Sequence, residues 1–379
     1  MHKGQERIAY LDGLRGLAIL LVLAWHYLGP VYAMHLPYGV RYAHLPLVRQ
    51  GWAGVNLFFL ISGYVIFMTL ERCSGFVDFL LRRWIRLFPA MLIGSLMIYL
   101  AAQLMAAWMP GGRASALDLV PGLTLVNPFY FARYFGINVR SLDGAFWSLY
   151  VEAAFYVVIG LLYYRFGWRR ALAGLLLLWL SVVVMPPIAH DLHAVPVLKP
   201  PFRFLHNLGV GYFGWFASGA LFLKARTDRD RGLFAMAIAI GLVASLTTDI
   251  PDNIENRTRV ALALSVLFFA WAQRSAFAQR LLEARWLLFV GFVSYPLYLV
   301  HSAIGVGLIA LVAGAFAGLP ALVPPLIVTT AMLALAWGMA RWAEPAVARL
   351  LKPLTEGLRR LLGVRSASGR DGPPLGLPA

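Results

Sequence analysis

The sequence predicts an all-α integral membrane protein, a polytopic bundle of about ten transmembrane helices with both termini in the cytoplasm. Hydrophobic residues make up 60% of the 379 positions and charged residues only 13%, whereas a soluble domain carries about 25% charged residues. Apolar stretches of about 16–23 residues recur along the chain, and roughly 20 residues are needed for a helix to cross a bilayer. Basic residues also concentrate on one of the two sides that these stretches define.

Ten stretches are long and apolar enough to be interpreted as membrane spans. They lie at about 14–34, 52–70, 87–109, 146–163, 171–189, 205–223, 233–248, 258–273, 287–309 and 321–343. The seventh and eighth are short, so composition defines their ends least well.

The formal net charge of +16 is explained by membrane topology. In a soluble protein this excess would suggest nucleic acid as a partner, but the cytoplasmic loops of membrane proteins collect Lys and Arg. With the N-terminus inside, ten spans place 24 of the 33 basic residues on the cytoplasmic side. An odd number of spans would put the basic C-terminal tail outside. The balance predicts a multi-pass protein of the inner (plasma) membrane with the lipid bilayer, and no nucleic acid, as a partner.

We divide the chain into a transmembrane domain, residues 1–352, and a basic cytoplasmic tail, residues 353–379. In the tail, residues 354–362 could form a short amphipathic helix on the inner leaflet. Residues 366–379 are rich in Gly, Pro and Ser and are expected to be disordered. The single cysteine, Cys73, falls in a predicted cytoplasmic loop, where we expect an inert thiol and no disulfide framework.

The first span carries an arginine and a histidine on one face. Arg15 and His26 are eleven residues apart, and at about 100° per residue eleven steps return to within about 20° of the starting direction. The rise of ~1.5 Å per residue separates them by about 16 Å, with Arg15 near one surface and His26 near mid-membrane. Asp12 shares the stripe. Burying an Arg costs at least ~2.5–3.5 kcal/mol, which favours a functional role, although His26 alone could simply bond a neighbouring helix.

The second and third spans add polar residues at the membrane boundary. Asn56 lies near the outer end of the second span, in a stretch whose glycines favour close helix packing. Arg82, Arg83 and Arg86 lie at the inner end of the third span. The positive-inside rule alone explains three arginines there, but three guanidinium groups on about one turn also suit a phosphate.

The fourth span contains a carboxylate, Glu152, roughly 10 Å from its outer end on a ~1.5 Å rise. A carboxylate at that depth must be protonated or paired. Ser148 lies one turn before it on the same side. Glu152 is interpreted either as half of an ion pair that locks two helices, or as the group that orients and polarises His26.

The ninth span carries a third polar stripe. Ser294 and His301 are two turns apart and share a face, and Tyr298 lies one turn before His301. Pro296 would loosen the helix there and free backbone carbonyls. Hydrogen bonds between helices of the bundle are the alternative explanation of this stripe.

Taken together, these five segments resemble the membrane acyltransferase 3 family, whose members O-acylate sugars and cell-surface glycans. The matching pieces, in the order of the family, are Leu11–Gly16 with His26, Gly54–Phe59 with Ser62 and Gly63, Arg82–Pro89, Trp147–Leu149 with Val151, Glu152, Phe155 and Tyr156, and Ser294 and Tyr295 through His301. The resemblance extends from residue 10 to about residue 301, and it rests on the five segments together rather than on any one of them.

The resemblance implies an acyl-CoA donor in the cytoplasm, acetyl-CoA above all, and a hydroxyl acceptor on a glycan or glycolipid reached from outside. It implies that Arg15 and His26 are the essential pair. Two departures are visible, because members often have Asp at the position of Asn56 and a second acidic residue at that of Ala153. Both suggest altered acceptor contacts or pairing. No metal is implied, since no His and carboxylate spacing fits a site well.

The resulting hypothesis is a buried reaction centre reached from both leaflets. The donor pyrophosphate would rest on Arg82, Arg83 and Arg86, with Arg15 near the pantetheine or the phosphates. His26 would take the proton of the acceptor hydroxyl as that oxygen attacks the thioester, or would itself carry the acyl group briefly.

The remaining candidates would support His26 or the substrates. Glu152 would hold the imidazole tautomer and stabilise the imidazolium. Ser294, Tyr298 or His301 would donate to the developing oxyanion, which is worth ~2.7–4 kcal/mol per donor in other systems. In this hypothesis Asp12 supports the catalytic pair, and Asn56 and Ser148 contact the acceptor.

Three alternatives remain at this point. A transporter or flippase of a lipid-linked sugar would share the polar stripe and the basic inner face, but it predicts internal repeats and broken helices. A small glycosylated metabolite could be the acceptor instead of a surface glycan. A membrane scaffold without activity would not need ionisable residues inside apolar spans.

Overall fold

The structure is a computed structural model that describes residues 8–189, 199–248, 257–316 and 318–363. Over these ranges it consists of helices and turns, without a β-strand. Six of its helical segments are long and apolar enough to cross a membrane. The predicted class, an all-α membrane protein, is confirmed.

In chain order, the first eight helices of the described ranges are α1 (Ala9–Leu28), α2 (Pro46–Arg49), α3 (Ala53–Leu70), α4 (Phe76–Leu104), α5 (Leu119–Thr124), α6 (Pro128–Phe135), α7 (Trp147–Ala189) and α8 (Lys199–Asn207). The others are α9 (Phe213–Asp228), α10 (Arg231–Thr247), α11 (Arg257–Arg274), α12 (Ala276–Leu282), α13 (Arg285–Val300), α14 (Val306–Val312), α15 (Val323–Gly338) and α16 (Glu344–Leu361). Two π-helical segments, His301–Gly305 and Met339–Ala343, continue α13 and α15.

Within the described ranges, fewer than the ten predicted spans are long and apolar enough to cross a membrane. The six qualifying segments are Ala9–Leu28, Ala53–Leu70, Phe76–Leu104, Gly144–Val183, Arg285–Val312 and Val323–Leu361. Helices α11 and α12 add a seventh if they count together, although they meet at 106°. Helices α9 and α10 have only 16 and 17 residues, fewer than the roughly 20 that cross a bilayer. Ten spans therefore stay a prediction.

Helix α7 contains the predicted fourth and fifth spans in one run. Its backbone leaves the helical conformation at Gly167, with φ 77° and ψ 169°. Glycine reaches that conformation without a Cβ penalty. The break falls in the loop predicted between residues 163 and 171, where the sequence analysis separates two spans.

Helix α1 ends earlier than the predicted first span, with Leu28 as its last residue. Gly29 is extended, with ψ near 180°, because Pro30 lacks an N–H and disfavours the helical conformation in the residue before it. His26 therefore lies in the last turn of α1 and not midway along the predicted stretch 14–34, while its depth near mid-membrane stays a prediction. Arg15 and His26 do share one uninterrupted helix.

Glycines allow α1 to approach α13 closely. A Cβ on Gly16 would lie 2.4 Å from the carbonyl oxygen of Leu287, and a Cβ on Gly291 would lie 1.9 Å from that of Asp12. Helices joined through such small residues approach at backbone distance. The predicted polar stripes of the first and ninth spans therefore lie on neighbouring helices.

Helix α9 lies in the interior of the bundle, and all its residues from Phe213 to Ala225 are buried. A helix that is apolar on every side belongs in a core. It packs against α3 through Gly219, where a Cβ would lie 2.0 Å from the carbonyl oxygen of Leu60. This close approach places α3 directly against the buried helix α9.

Helix α16 runs through the predicted domain boundary at residues 352–353 and contains most of the predicted segment 354–362. Arg359 in its last turn donates to the Asp78 carboxylate of α4 at 3.1 Å. The end of α16 is thus attached to the bundle. The stretch 366–379, predicted to be disordered, lies outside the described residues.

Candidate active site

His26 and His301 contact each other between the last turn of α1 and the π-helical segment after α13. Their rings are 4.7 Å apart between centroids and inclined at 76°. Nε2 of His301 lies 3.1 Å from Nδ1 of His26. Both histidines are candidate site residues from the sequence, but their contact with each other is not predicted by it.

The hydrogen-bond partners assign the tautomer of each ring. Nδ1 of His26 donates to the carbonyl of Val22 at 2.9 Å, and Nδ1 of His301 donates to the carbonyl of Tyr298 at 2.8 Å. The Nδ1–H of His26 is then shared between two acceptors, the carbonyl of Val22 and Nε2 of His301. In the neutral ring, Nε2 of His26 keeps its lone pair, and no described residue forms a hydrogen bond to it.

Asp143 fixes the segment that carries His301. One carboxylate oxygen accepts the backbone N–H of Ala303 at 2.7 Å, and the other accepts that of Ala145 at 2.7 Å. Burial raises the pKa of this carboxyl to about 6, while the two N–H donors favour its ionised form. Asp143 is not among the residues predicted from the sequence, although an Asp directly before an apolar run is a recognised helix-start signal.

Tyr32, in the turn-rich segment after α1, contacts the histidine pair at the C-terminal end of α1. Its ring centroid lies 5.6 Å from that of His26, and its hydroxyl lies 2.8 Å from Oγ of Ser302. Tyr32 is not among the residues predicted from the sequence, because nothing in its local pattern indicates that this segment folds back over α1.

Tyr298 joins α13 to the start of α7. Its hydroxyl donates to the carbonyl of Ala145 at 3.0 Å and lies 2.7 Å from Oγ of Ser148. The Ser294 hydroxyl donates within α13, to the carbonyl of Gly291 at 2.8 Å. Tyr298 and Ser148 are therefore brought together, whereas the hydroxyl proton of Ser294 is used inside its own helix.

Glu152 does not bond His26, which corrects the expected orienting contact. Its Oε1 accepts from the Ser62 hydroxyl at 2.6 Å and from the Tyr156 hydroxyl at 2.5 Å. The guanidinium of Arg83 donates to the Tyr156 oxygen at 2.7 Å and lies 4.7 Å from the centroid of that ring. The carboxylate therefore belongs to an α3–α7–α4 network, and His301 takes the place beside His26.

Arg15 donates to the Asp12 carboxylate at 2.7 Å, as expected for residues on one stripe. The positive charges of Arg86 and Arg83 also act on Arg15. Arg86 lies over the ring of Tyr295 at 5.5 Å, at the α13 side of the same region. Arg15 of α1 therefore lies within electrostatic range of Arg83 and Arg86 of α4. The carboxylate that Arg15 contacts directly is that of Asp12.

Arg82 points to a different set of partners. It donates to the Asp78 carboxylate at 3.0 Å, which also accepts from Arg359 at 3.1 Å. Arg86 in turn lies 3.9 Å from the Glu344 carboxylate. The three arginines predicted to form one phosphate site therefore have different partners, and Arg82 is directed toward the end of α16.

Asn56 is 1% exposed in the first turns of α3. Its side-chain Nδ2 is buried and has no hydrogen-bond partner among the described residues. A buried donor without a partner costs about 1–3 kcal/mol, so this amide is a candidate for contact with a substrate. The described ranges contain no group of three or more His, Cys, Asp or Glu side chains able to hold a metal ion.

Comparison with known families shows similarity to acyltransferases. A family model described as "Acyltransferase domain" matches residues 8–341. An acyltransferase named MdmB from Streptomyces mycarofaciens is 26% identical over 324 residues, which cover 78% of each chain. No solved structure matches the chain.

Two further relatives carry names that mention peptidoglycan. The putative peptidoglycan O-acetyltransferase YrhL of Bacillus subtilis is 28% identical over 208 residues, 48% of this chain and 29% of the relative. The peptidoglycan O-acetyltransferase OatA of Listeria monocytogenes is 26% identical over 170 residues, 41% of this chain and 24% of the relative. The matched regions therefore span less than a third of the length of these two relatives.

Proposed function

The chain belongs to this acyltransferase family, and from that membership we propose an O-acyltransferase that moves an acyl group, acetyl above all, from cytoplasmic acyl-CoA to a glycan hydroxyl. The observation that carries the proposal is that Nε2 of His26 has no hydrogen-bond partner among the described residues. Backbone carbonyls accept from Nδ1 of both His26 and His301 and so set the tautomer of each ring. The relatives named for peptidoglycan O-acetylation support a cell-envelope glycan as acceptor.

His26 acts as the general base in the proposed step. The acceptor O–H gives its proton to Nε2 of His26 while its oxygen attacks the thioester carbonyl. The tetrahedral intermediate collapses, the carbon–sulfur bond breaks, and the proton passes from the imidazolium to the sulfur, giving the ester and free CoA. Acylation of the same Nε2 is the competing route, and a trapped acyl-enzyme would identify it.

His301 is a positioning residue in this mechanism. Its unprotonated Nε2 faces the N–H of His26 at 3.1 Å and stabilises the imidazolium that forms when His26 accepts a proton. This is the task that a carboxylate performs in a Ser-His-Asp triad. A neutral imidazole in that place suits an apolar interior, since burying an unpaired carboxylate costs more.

Arg15, Arg83 and Arg86 hold the phosphates of the donor. Guanidinium groups bind phosphate with paired, charge-assisted hydrogen bonds. The arm of the donor then extends along α1 toward His26, about 16 Å further at a rise of ~1.5 Å per residue. Asn56, whose Nδ2 has no described partner, donates to the acceptor or to the oxyanion.

Purified protein in lipid nanodiscs tests the proposal through release of free CoA from acetyl-CoA, with and without peptidoglycan fragments. His26→Ala should abolish acceptor-dependent release while the protein still folds. His301→Gln should lower kcat by about 100-fold or more, shift the pH profile of kcat and leave the KM for acetyl-CoA unchanged. The exposed His206→Gln is the matched control. Acceptor-dependent turnover by His26→Ala at the wild-type rate would refute the proposal.

A further inference from the structure

A basic cavity lies where α9, α10 and α11 end or begin, apart from the histidine pair. It measures about 260 Å³ and is lined by four arginines, one aspartate, one glutamine and apolar side chains. The arginines are Arg226, Arg229, Arg231 and Arg274. Nothing in the acyl-transfer mechanism uses them.

The carboxylates near this cavity have other partners. Asp230 accepts the backbone N–H groups of Gly232 and Leu233 at 2.7 and 3.1 Å, and so caps α10. Asp228 pairs with Lys224 at 3.7 Å. Across the described ranges, none of the four arginines forms an ion pair with a carboxylate. The cavity therefore holds an excess of positive charge.

Two of the arginines contact aromatic side chains. Arg226 donates to the hydroxyls of Tyr10 and Tyr64 at 3.0 and 3.4 Å. The guanidinium of Arg274 lies 3.7 Å from the centroid of the Phe234 ring. Arginines that only set membrane topology can stay in water and need no such contacts. The positive-inside rule therefore explains the side of the membrane on which Arg226 and Arg274 lie but not their contacts with aromatic side chains.

Two independent features indicate a ligand. Arg229 ends α9 with φ 54° and ψ 34°, the left-handed conformation in which helices commonly place glycine. Keeping an arginine there strains the backbone, and such strain clusters at functional sites. In addition, Nε2 of Gln273 is buried and has no hydrogen-bond partner within the described ranges, although its Oε1 accepts from Tyr10.

We propose that this cavity binds a phosphate-bearing anion through Arg229, Arg231 and Arg274, with the Gln273 amide as a further donor. Two sources present the required chemistry on the cytoplasmic side, an anionic phospholipid headgroup and the nucleotide end of a coenzyme. Both carry phosphate oxygens that match the guanidinium fork. The proposal concerns binding and stands without the proposed acyl transfer.

Two binding measurements test the site and separate its sources. The first is equilibrium binding of adenosine 3′,5′-bisphosphate to protein in phosphatidylcholine nanodiscs. The second is retention of phosphatidylglycerol by the purified protein in native mass spectrometry. Arg274→Gln and Arg229→Gly should weaken one of them about tenfold or more, and the probe that is lost identifies the source.

Controls separate loss of the site from loss of the fold. Arg280→Gln removes an exposed charge from α12, outside the cavity, and should bind both probes like wild type. Arg229→Gly should melt at the wild-type temperature or higher, because glycine relieves the left-handed strain. If Arg274→Gln and Arg229→Gly bind both probes as wild type does, the proposal is overturned.

Discussion

At the residue scale, one chain of hydrogen bonds links three helices beneath the histidine pair. Ser62 of α3 and Tyr156 of α7 both donate to Glu152, and Arg83 of α4 donates to Tyr156. The hydroxyl of Tyr156 therefore bridges the Glu152 carboxylate and the Arg83 guanidinium. In the proposed mechanism this chain holds a phosphate-binding arginine rather than the catalytic base.

Tyr156→Phe tests that assignment. Removing the hydroxyl breaks the link to Arg83 but keeps the ring, so we expect the KM for acetyl-CoA to rise about tenfold, the equivalent of ~1.4 kcal/mol, with little change in kcat. Steady-state kinetics of CoA release measure both constants. The exposed Tyr134→Phe in α6 serves as the matched control. A large drop in kcat at constant KM would instead overturn the assignment of this hydrogen-bond chain to phosphate binding.

At the element scale, the π-helical segment His301–Gly305 is the element that presents His301. Helix α13 reaches it after Pro296, which cannot donate to the helical ladder, and π segments occur frequently at functional sites. Asp143, which precedes α7, accepts a backbone N–H of the segment, and the α1–α13 contact places the segment beside His26. The site therefore depends on how closely α1 and α13 approach.

Gly291→Ala should separate α1 from α13. The added Cβ would lie 1.9 Å from the carbonyl oxygen of Asp12, and backbone atoms can move away only if the helices shift. Overpacking of this kind typically costs about 1–3 kcal/mol, so thermal melting in detergent should move to a lower temperature. Activity should also fall, since Arg15 and His26 move with α1.

Gly357→Ala in α16 is the control for the α1–α13 contact. A Cβ there meets nothing within 4 Å, and replacing a helical glycine by alanine stabilises a helix by up to about 1 kcal/mol. Its melting temperature should equal or exceed that of wild type. Equal melting of the Gly291 and Gly357 variants would disprove close packing at Gly291.

At the scale of the whole molecule, the single cysteine reports topology. Cys73 lies in the connection between α3 and α4, on the side that the basic residues predict to be cytoplasmic. Burial chiefly, together with Asp78, raises the pKa of its thiol to about 11, although Arg82 and Arg83 act in the opposite direction. The reactive thiolate is therefore about 100-fold scarcer near neutral pH than for a thiol at the ordinary value of 9.0.

Labelling of Cys73 with a membrane-impermeant maleimide should require inside-out vesicles and should be slow at pH 7. Its rate should rise about tenfold per pH unit until the pH approaches 11, because the thiolate is the nucleophile. A Gly111→Cys variant, in open space between α4 and α5, should label from outside in intact cells. Labelling of Cys73 in intact cells would reverse the predicted orientation.

What could be predicted depends on whether a feature lies within one helix or between helices. The Asp12–Arg15 pair follows from spacing alone, because 3.6 residues per turn place residues three apart side by side. The break at Gly167 coincides with a predicted loop for a similarly local reason. The predicted contact between Glu152 and His26 is wrong, because no periodicity in the sequence specifies the distance between two helices or the rotation of each helix about its axis.

The sequence by itself determined the membrane class, the helical stripes that carry Arg15, His26, Glu152 and His301, and the family, since composition and short-range periodicity are local properties of the chain. Only the tertiary structure decided that His301 faces His26, that Ser62 donates to Glu152, and that Arg359 donates to Asp78. Those partners lie on different helices. Their contacts follow from the glycine-mediated approach of α1 to α13 and from the buried position of α9, which depend on the packing of the whole bundle.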